Sequence, residues 1–251
     1  MLGGYTKMKS DYSRDVVENY VNVRSCHVDI QELIISELIV NSDLNFADLA
    51  CGPCTETYAI SKKCGFFVGI DKSLDMLCQA REQINGSLVC SNLDETIPLN
   101  NESIDSMVMI AGIHHIRNID GFFAEAFRVL RSSGRFLLIT NTPEQILKRE
   151  YYSYFPGLLQ SNIKRFRSID VLKSNLEKSG FLCDRKGFII RDNAYFDRSR
   201  LKRLSTGALD SATWFLSKKE WQNGLIKLQS ALARGVKIRH CRDRAWICGR
   251  K

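Results

Sequence analysis

The chain has 251 residues, of which 44% are apolar and 25% charged, and a net charge of +8. This composition is close to average globular usage and allows a sizeable core. No run of about 18 apolar residues predicts a membrane span, and no apolar stretch after the N-terminal lysines predicts a secretory signal. The nine cysteines are scattered along the chain. They favour reduced thiols in a cytoplasmic protein over a disulfide framework, and we predict no metal site.

The charge is divided unevenly along the chain. Residues 1–150 carry 14 Lys and Arg against 20 Asp and Glu, whereas residues 151–251 carry 22 against 8. A solvated basic surface explains this excess as well as attraction of a phosphorylated, carboxylated or nucleic-acid substrate does. Charge alone leaves both interpretations open.

Apolar strands alternate with helices along the first 140 residues, which predicts βαβ units and a parallel sheet. The strands are continuously apolar, as expected for a sheet covered on both faces. The predicted strands cover residues 44–50, 66–70, 87–90, 104–110 and 135–140. The predicted helices cover residues 12–40, 55–63, 73–84 and 120–130, with Ser73 as an N-cap and a turn at 132–134.

After residue 140 the alternation loosens. Residues 141–167 are aromatic and basic, and residues 193–235 are helical or irregular. A helix over 169–179 and strands over 181–190 and 244–249 are predicted. No internal repeat or low-complexity linker divides the chain, so we predict one elaborated domain over residues 1–251.

The turn after the first strand brings small residues to the place where a doubly wound sheet binds its ligand. In the run Asp48-Leu-Ala-Cys-Gly-Pro-Cys54, Gly52 lets the backbone approach a ligand without a Cβ. Ala50 is one of the next smallest choices. Asp71 ends the second strand, where a carboxylate can accept hydrogen bonds from two ribose hydroxyls. These residues predict a nucleotide-type site at the carboxyl edge of the sheet.

Residues 44–140 resemble the class I S-adenosylmethionine (SAM)-dependent methyltransferases, particularly the small-molecule group similar to ubiquinone/menaquinone C-methyltransferases. The Asp-x-Gly-x-Gly-x-Gly loop of this family is matched by Asp48, Ala50, Gly52 and Cys54. Gly69-Ile-Asp71 looks like its ribose-binding acidic motif. The segments 91–98, 103–116 and 125–138 resemble, in order, its adenine-binding segment, its fourth strand with the following loop, and its next helix and strand.

The resemblance implies a Rossmann-like, doubly wound α/β fold with a mostly parallel sheet of about seven strands. Residues 12–40 would be an N-terminal helical lid, 44–140 the SAM-binding core, and 141–251 an inserted acceptor-binding segment with the C-terminal strands. SAM would be the cofactor and S-adenosylhomocysteine (SAH) its product. The residues assigned to the cofactor are Tyr20, Arg24, Asp48, Ala50, Cys51, Gly52, Asp71, Lys72, Asn92, Leu93 and Ala111.

Three of these assignments carry alternatives or substitutions. Tyr20 would cover SAM and Arg24 would pair with its carboxylate, whereas ordinary core and surface roles explain them equally well. Asn92 stands where the family has an aspartate, and its amide oxygen can still accept a hydrogen bond from the adenine amino group.

Cys51-Gly-Pro-Cys54 is also the dithiol motif of thioredoxins, placed between a strand and a helix as a redox motif should be. No Trp precedes Cys51, and the chain is far longer than a thioredoxin domain. Asp71 and the later segments have no place in a thioredoxin. We therefore favour the nucleotide site over redox chemistry.

Candidate catalytic residues follow the fourth strand. His114 and His115 lie next to the expected methyl group, and either is a candidate general base. The alternative is that one packs in the core and the other bonds to the backbone. No Asp/Asn-Pro-Pro-aromatic motif stands here, which disfavours acceptors of the base-amine or glutamine type.

Two further segments are candidates for contact with the acceptor. Residues 151–157 form an aromatic cluster that can wall a pocket. Lys164, Arg165 and Arg167 can engage a carboxylate or phosphate. Aromatic side chains that pack a helix onto the sheet, with the basic residues in solvent, are an equal alternative.

The sequence thus predicts methyl transfer to a small or medium-sized metabolite that is anionic and partly apolar. RNA methylation of the tRNA type is the second interpretation, because wobble-uridine methyltransferases share the core motifs and a basic C-terminal portion suits phosphates. A catalytically silent SAM-binding partner protein is the third. The identity of the acceptor, the methylated atom and the oligomeric state are not encoded in any recognisable motif.

Overall fold

A seven-stranded sheet organises the computed structural model, which describes residues 26–191, 194–205 and 216–251. The strands are β1 (Asn45–Leu49), β2 (Phe66–Asp71), β3 (Ser87–Cys90), β4 (Ile104–Ile110), β5 (Leu130–Thr140), β6 (Leu182–Ile189), β7 (Ala194–Tyr195), β8 (Arg239–His240) and β9 (Arg244–Arg250). The order in the large sheet is β3-β2-β1-β4-β5-β9-β6, and β7 pairs with β8 separately. β1 to β5 are parallel and β9 is antiparallel to both neighbours. The predicted fold class is confirmed.

Helices flank this sheet and build the region beyond it. They are α1 (Val28–Glu37), α2 (Tyr58–Ser61), α3 (Leu74–Ala80), α4 (Ile119–Val129), α5 (Pro143–Leu147), α6 (Pro156–Arg165), α7 (Ile169–Lys178), α8 (Arg198–Ser205) and α9 (Lys218–Ala233). Short 3₁₀ turns cover Ile113–His115 and Glu150–Tyr154. None of the helices in the described ranges combines the length and apolar content that a bilayer crossing requires.

Two buried clusters lie on opposite faces of the sheet. Leu138 of β5 belongs to the cluster that includes α4 and α7, whereas its neighbour Leu137 packs with α1, α2 and α3. Successive side chains of a strand point to opposite faces. Because both faces are covered there, the central strands β1, β2 and β4 are buried along most of their length. A third cluster lies beyond the sheet, where Tyr151, Tyr152 and Phe155 pack with α6, α8 and α9.

The structure corrects the predicted start of the fifth strand. The sequence predicts a turn at 132–134, but β5 begins at Leu130 and runs through these residues to Thr140. The register shifts in this stretch, and Ser133 has a φ of +66°. The Ser133 N–H donates to the carbonyl oxygen of Lys251, and the Lys251 N–H donates to that of Gly134. Pairing with the C-terminal residue, a contact 118 positions along the chain from Ser133, therefore keeps the irregular segment in the sheet.

Two helices are shorter than predicted, α2 at both ends because it begins at Tyr58 and not at 55, and α3 mainly at its C-terminal end. α2 ends at Ser61 and α3 at Ala80, before the predicted positions 63 and 84. Ser73 is the N-cap of α3 as predicted, and its hydroxyl accepts the N–H of Met76 at 3.3 Å. Of the predicted helix over 12–40, residues 12–25 lie outside the described ranges.

Candidate functional site

An open pocket lies at the carboxyl ends of β1, β2 and β4, where a doubly wound sheet is expected to bind its ligand. Most of the residues predicted to hold the cofactor line this pocket, namely Asp48, Ala50, Cys51, Gly52, Asp71, Lys72, Asn92, Leu93 and Ala111. Tyr20 and Arg24, the other two, lie outside the described residues.

The loop after β1 is held in a left-handed backbone conformation at alternate residues. The φ angles of Ala50, Gly52 and Cys54 are +55°, +53° and +54°. Left-handed backbone costs a residue with a Cβ about 1–2 kcal/mol, so glycine is favoured at such positions. The loop of this chain therefore keeps a glycine-type conformation at two positions where it has Ala and Cys. A Cβ added to Gly52 would have no atom within 4 Å, which leaves free space for a ligand beside the backbone.

Asp71 connects this loop to the end of β2. Its Oδ2 accepts the N–H of Gly52 at 2.8 Å, and its Oδ1 accepts the N–H of Ser73 at 2.9 Å. Burial raises the pKa of Asp71 above its ordinary value, and these two backbone bonds oppose the shift. Each carboxylate oxygen has a second lone pair. Asp71 can therefore accept the hydroxyls of a sugar diol while it holds the loop.

Asp48 lies below the same loop and is almost fully buried. The Thr57 hydroxyl donates to its Oδ2 at 2.5 Å. Burial raises the pKa of Asp48 to about 7, the Thr57 hydrogen bond opposes this shift, and the charges of Asp71 and Glu56 add to it. The Asp48 carboxyl group is therefore close to its titration point at neutral pH, and a positively charged ligand would favour its ionised form.

Glu56 is a pocket residue that the sequence analysis missed. Its Oε2 accepts the N–H of His27 at 2.8 Å, and its Oε1 is 2.6 Å from Nδ1 of the same histidine. Glu56 therefore joins the pocket wall to the residue that precedes α1. It lies just beyond the Asp48–Cys54 loop, so the loop motif does not mark it. The one sequence feature that could have indicated Glu56 is its position seven residues after the buried strand β1.

The Asn92 side chain is oriented by its own loop. Its Oδ1 accepts the N–H of Asp94 at 3.2 Å, and its Nδ2 donates to Glu95 at 2.9 Å. The amide oxygen keeps one lone pair. Leu93 beside it is buried and supplies an apolar wall. The contact of Asn92 with adenine stays a prediction.

The two candidate catalytic histidines have different environments. His115 lines the pocket, whereas His114 stacks on Phe166 and on His115 at centroid distances of 4.4 and 4.1 Å. Burial lowers the pKa of His115 to about 3, and the charges of Arg165 and Lys72 add to this shift. The His115 imidazole is therefore neutral at physiological pH. The catalytic role of either histidine stays a prediction.

The aromatic segment over 151–157 contributes to the core and not to this pocket. Tyr151, Tyr152 and Phe155 are buried in the third cluster. Of the basic residues that follow, Arg165 has its charge close to His115, whereas Lys164 is exposed. Tyr151, Tyr152 and Phe155 therefore pack in the core and do not wall the pocket. Among Lys164, Arg165 and Arg167, Arg165 has its charge close to a pocket residue.

The electrostatics of the Cys51–Cys54 pair disfavour redox chemistry. The nine cysteines are all free thiols. The hydrogen bond between the Cys51 and Cys54 side chains and the burial of Cys51 raise the pKa of Cys51. A reactive dithiol requires a lowered thiol pKa. The pair instead lies against Gly69 of β2, where an added Cβ would approach both sulfur atoms.

The pocket residues fit SAM in charge and in shape. Asp48, Glu56 and Asp71 bring three carboxylates to one cleft, and SAM carries a sulfonium and an ammonium group. Asp71 has lone pairs for the ribose diol, and the space beside Gly52 admits a ligand close to the backbone. In the described ranges, no three His, Cys, Asp or Glu side chains are grouped so that they could hold a metal ion.

Comparisons with known proteins agree with this geometry. Residues 47–138 match a family described as a methyltransferase domain. Phthiotriol/phenolphthiotriol dimycocerosates methyltransferase of Mycobacterium leprae is 31% identical over 112 residues, which are 43% of this chain and 42% of that protein. The chain thus aligns with less than half of that relative. Demethylmenaquinone methyltransferase of Tropheryma whipplei is 25% identical over 168 residues, 64% of this chain and 70% of that protein.

The fold is shared with solved structures. A protein of Anabaena variabilis, described as a methyltransferase from an antibiotic biosynthesis pathway, superposes with a TM-score of 0.70 at 21% identity. The match covers 89% of this chain and 97% of that one. This likeness extends the agreement in fold beyond the core that the family comparison matches.

The contact between the two pocket loops is testable by mutation. A Cβ at Gly112 would lie 2.7 Å from the Cβ of Ala50. We expect Gly112→Ala to lower the free energy of unfolding by about 1–3 kcal/mol through overpacking. Ala50→Gly, at a φ of +55°, removes this clash and leaves only the Met109 side chain, 3.0 Å from the added Cβ. In urea unfolding, Gly112→Ala should therefore cost less in the Ala50→Gly background than in wild type. An equal cost in the two backgrounds would contradict the packing.

The raised pKa of Asp48 predicts a pH dependence of stability. The folded protein keeps the Asp48 proton up to a pH of about 7, whereas the unfolded chain releases it near the ordinary value of 3.8. The contribution of Asp48 to stability therefore falls as pH rises between these values, by at most about 1.4 kcal/mol per pH unit. In urea unfolding at pH 5, 6, 7 and 8, wild type should lose stability relative to Asp48→Asn. Parallel pH profiles of the two proteins would show that burial does not shift this carboxyl group.

Asp71 gives the most direct test of the cofactor site. Asp71→Asn leaves one acceptor oxygen where there were two and removes the charge. We expect the Kd for SAH, measured by isothermal titration calorimetry, to rise about 10- to 100-fold, which is the effect of losing a charge-assisted hydrogen bond. Asp75→Asn, an exposed position in the first turn of α3, is the matched control and should bind SAH normally. Equal affinity in both variants would remove Asp71 from the site.

Proposed function

We propose that this chain, a class I SAM-dependent methyltransferase, transfers the methyl group of SAM to a small or medium-sized metabolite. The observation that carries the proposal is the acidic cleft in which the Gly52 N–H is bonded to Asp71 at 2.8 Å. With this bond formed, the space beside the Gly52 backbone stays open, and each Asp71 carboxylate oxygen keeps a lone pair for a ligand. Asp48 and Glu56 complete the negative wall.

Bound SAM supplies a methyl group that its sulfonium already activates. The residues of the chain need to hold the donor, align the acceptor and exclude water. Asp71 would hold the ribose diol, and Asp48 and Glu56 would balance the positive charge of the donor. Ala111 and Gly112, directly after β4, also line this pocket, and Ala111 would contact the donor.

His115 is the residue of the described pocket best suited to the acceptor. Its imidazole is neutral because burial lowers its pKa to about 3, so it can accept a hydrogen bond from an acceptor O–H or N–H. Stacking on His114, which in turn stacks on Phe166, fixes the ring. We propose that His115 positions the acceptor through this hydrogen bond; with so low a pKa it is a poor proton acceptor at neutral pH, so its role is orientation and not general-base catalysis.

The two relatives support a metabolite acceptor. One is named for demethylmenaquinone and the other for phthiotriol and phenolphthiotriol dimycocerosates, which are small or lipid molecules. The basic residues of the region 151–251 keep RNA as the second candidate. A silent SAM-binding protein remains the third.

A transfer experiment separates these functions. Purified protein with methyl-tritiated SAM is offered either a protein-free and RNA-free metabolite extract or total RNA. We expect tritium in the metabolite fraction with wild type and Asp75→Asn, and a loss of at least about tenfold with Asp71→Asn, because the latter weakens donor binding. His115→Ala should lower transfer while the Kd for SAH stays within about twofold.

Label confined to RNA would support the second candidate and contradict the proposal. Binding of SAH without transfer to either fraction would support the silent protein. Unchanged transfer in His115→Ala would remove this histidine from the acceptor site without affecting the assignment of the donor pocket.

A further inference from the structure

Two polar side chains near the end of β5 have no polar partner among the described residues. Nδ1 of His240 is buried and has no hydrogen-bond partner within the part of the chain that the structure describes. Arg242, two residues on, is half-buried and forms neither an ion pair nor a hydrogen bond within the described ranges. Buried polar groups and buried charges are normally paired. Two such groups side by side therefore indicate a polar ligand.

The surroundings of Arg242 are strongly basic. Burial lowers its pKa, and the charges of Arg191 and Arg200 add to this shift. The carboxylates that these two arginines contact are already engaged, since Arg191 binds Asp29 at 2.5 Å and Arg200 binds Asp197 at 2.9 Å. The charge of Asp29 partly opposes the shift of the Arg242 pKa, and Asp243 beside it accepts the backbone N–H of Arg191. Arg242 thus adds a positive charge to a place where Asp29 and Asp197 form their ion pairs with other arginines.

Two more guanidinium groups converge on a neutral acceptor beside this pair. Arg149 and Arg244 both donate to Oδ1 of Asn141, at 2.9 and 2.6 Å. The charges of Arg149 and Arg244 lower the pKa of His240, after burial, which lowers it most. Arginine is the residue best suited to planar, bidentate recognition of carboxylate and phosphate groups.

This cluster lies along the same sheet edge as the donor pocket. The N–H of Ala111, a pocket residue, donates to the carbonyl oxygen of Ile139 at 2.8 Å. Asn141 follows Ile139 by two residues, directly after β5. The carboxylates of the donor pocket lie on the other side of β4, at β1 and β2. The arginines are therefore placed where an acceptor would extend away from the methyl group.

We propose that Arg149, Arg242 and Arg244, with His240, form a site for an anionic group, a carboxylate or a phosphate, of the methyl acceptor. The proposal rests on the proposed function, because it identifies one end of the acceptor of that same reaction. It explains why Arg242 and His240 are left without partners in the described chain. It also assigns a role to part of the positive charge of the C-terminal portion.

The test uses inorganic phosphate and acetate as probes, at constant ionic strength set with chloride. Their Kd values are measured by isothermal titration calorimetry for wild type, Arg242→Ala and Arg242→Lys. Arg242→Ala should weaken binding at least about tenfold, the effect of a lost hydrogen bond to a charged group, and Arg242→Lys should be intermediate. The control is Arg81→Ala, which removes an exposed arginine beside α3 and should bind both probes as wild type does. Binding of phosphate alone would identify a phosphate acceptor, and binding of acetate alone would identify a carboxylate acceptor.

The Kd for SAH, measured on the same proteins, separates the two proposals. Normal SAH affinity in wild type and Arg242→Ala, with weaker anion binding only in the latter, supports the anion site. Equal anion affinity in Arg242→Ala and Arg81→Ala, or no binding of either probe, overturns it while the donor pocket stands. Loss of affinity for an RNA oligonucleotide in Arg242→Ala without change for either ion also overturns it. Absence of SAH binding to wild type would instead refute the proposed function.

Discussion

The hydrogen bond from the Gly52 N–H to the Asp71 carboxylate is the contact on which the site depends. It fixes the loop after β1 against the end of β2, two segments 19 residues apart in the chain. With this contact in place, the backbone at Gly52 and the carboxylate at Asp71 line the same pocket. The loop can meet Asp71 because Ala50, Gly52 and Cys54 adopt positive φ angles. Two of these residues have a Cβ, so the conformation costs strain, which the buried packing of Cys54 and of the sheet offsets.

The charge asymmetry of the sequence is repeated along the carboxyl edge of the sheet, where carboxylates lie at one end and arginines at the other. The N-terminal portion is acidic, and its carboxylates Asp48 and Asp71, on β1 and β2, line the pocket that we propose for the positively charged donor. The C-terminal portion is basic, and its arginines gather near the ends of β5 and β9. In a partly buried cleft such groups are screened less than on the surface. The two ends of the reaction would therefore attract ligands of opposite charge, and the donor and acceptor would be oriented before they meet.

Apolar runs and capping residues, which can be read within a short stretch of sequence, correctly predicted the buried central strands and the N-cap of α3. β4 is found over the predicted residues, and Ser73 caps α3, because apolar strands and caps are local properties of the sequence. Long-range contacts decided the rest. β5 begins early because its first residues pair with Lys251. Glu56 is bonded to His27, 29 residues before it, and His240 lies close to the charge of Arg149, 91 positions away along the chain. No pattern within a short window encodes such contacts.

Hydrogen–deuterium exchange with and without SAH tests the central claim most directly. If the loop and the end of β2 grip the adenosyl group together, SAH will slow exchange in peptides covering residues 50–54 and 71–73. Peptides covering β6, at the far edge of the sheet, will exchange unchanged. Saturating SAH with no added protection in the loop, or with protection confined to β6, would contradict the account.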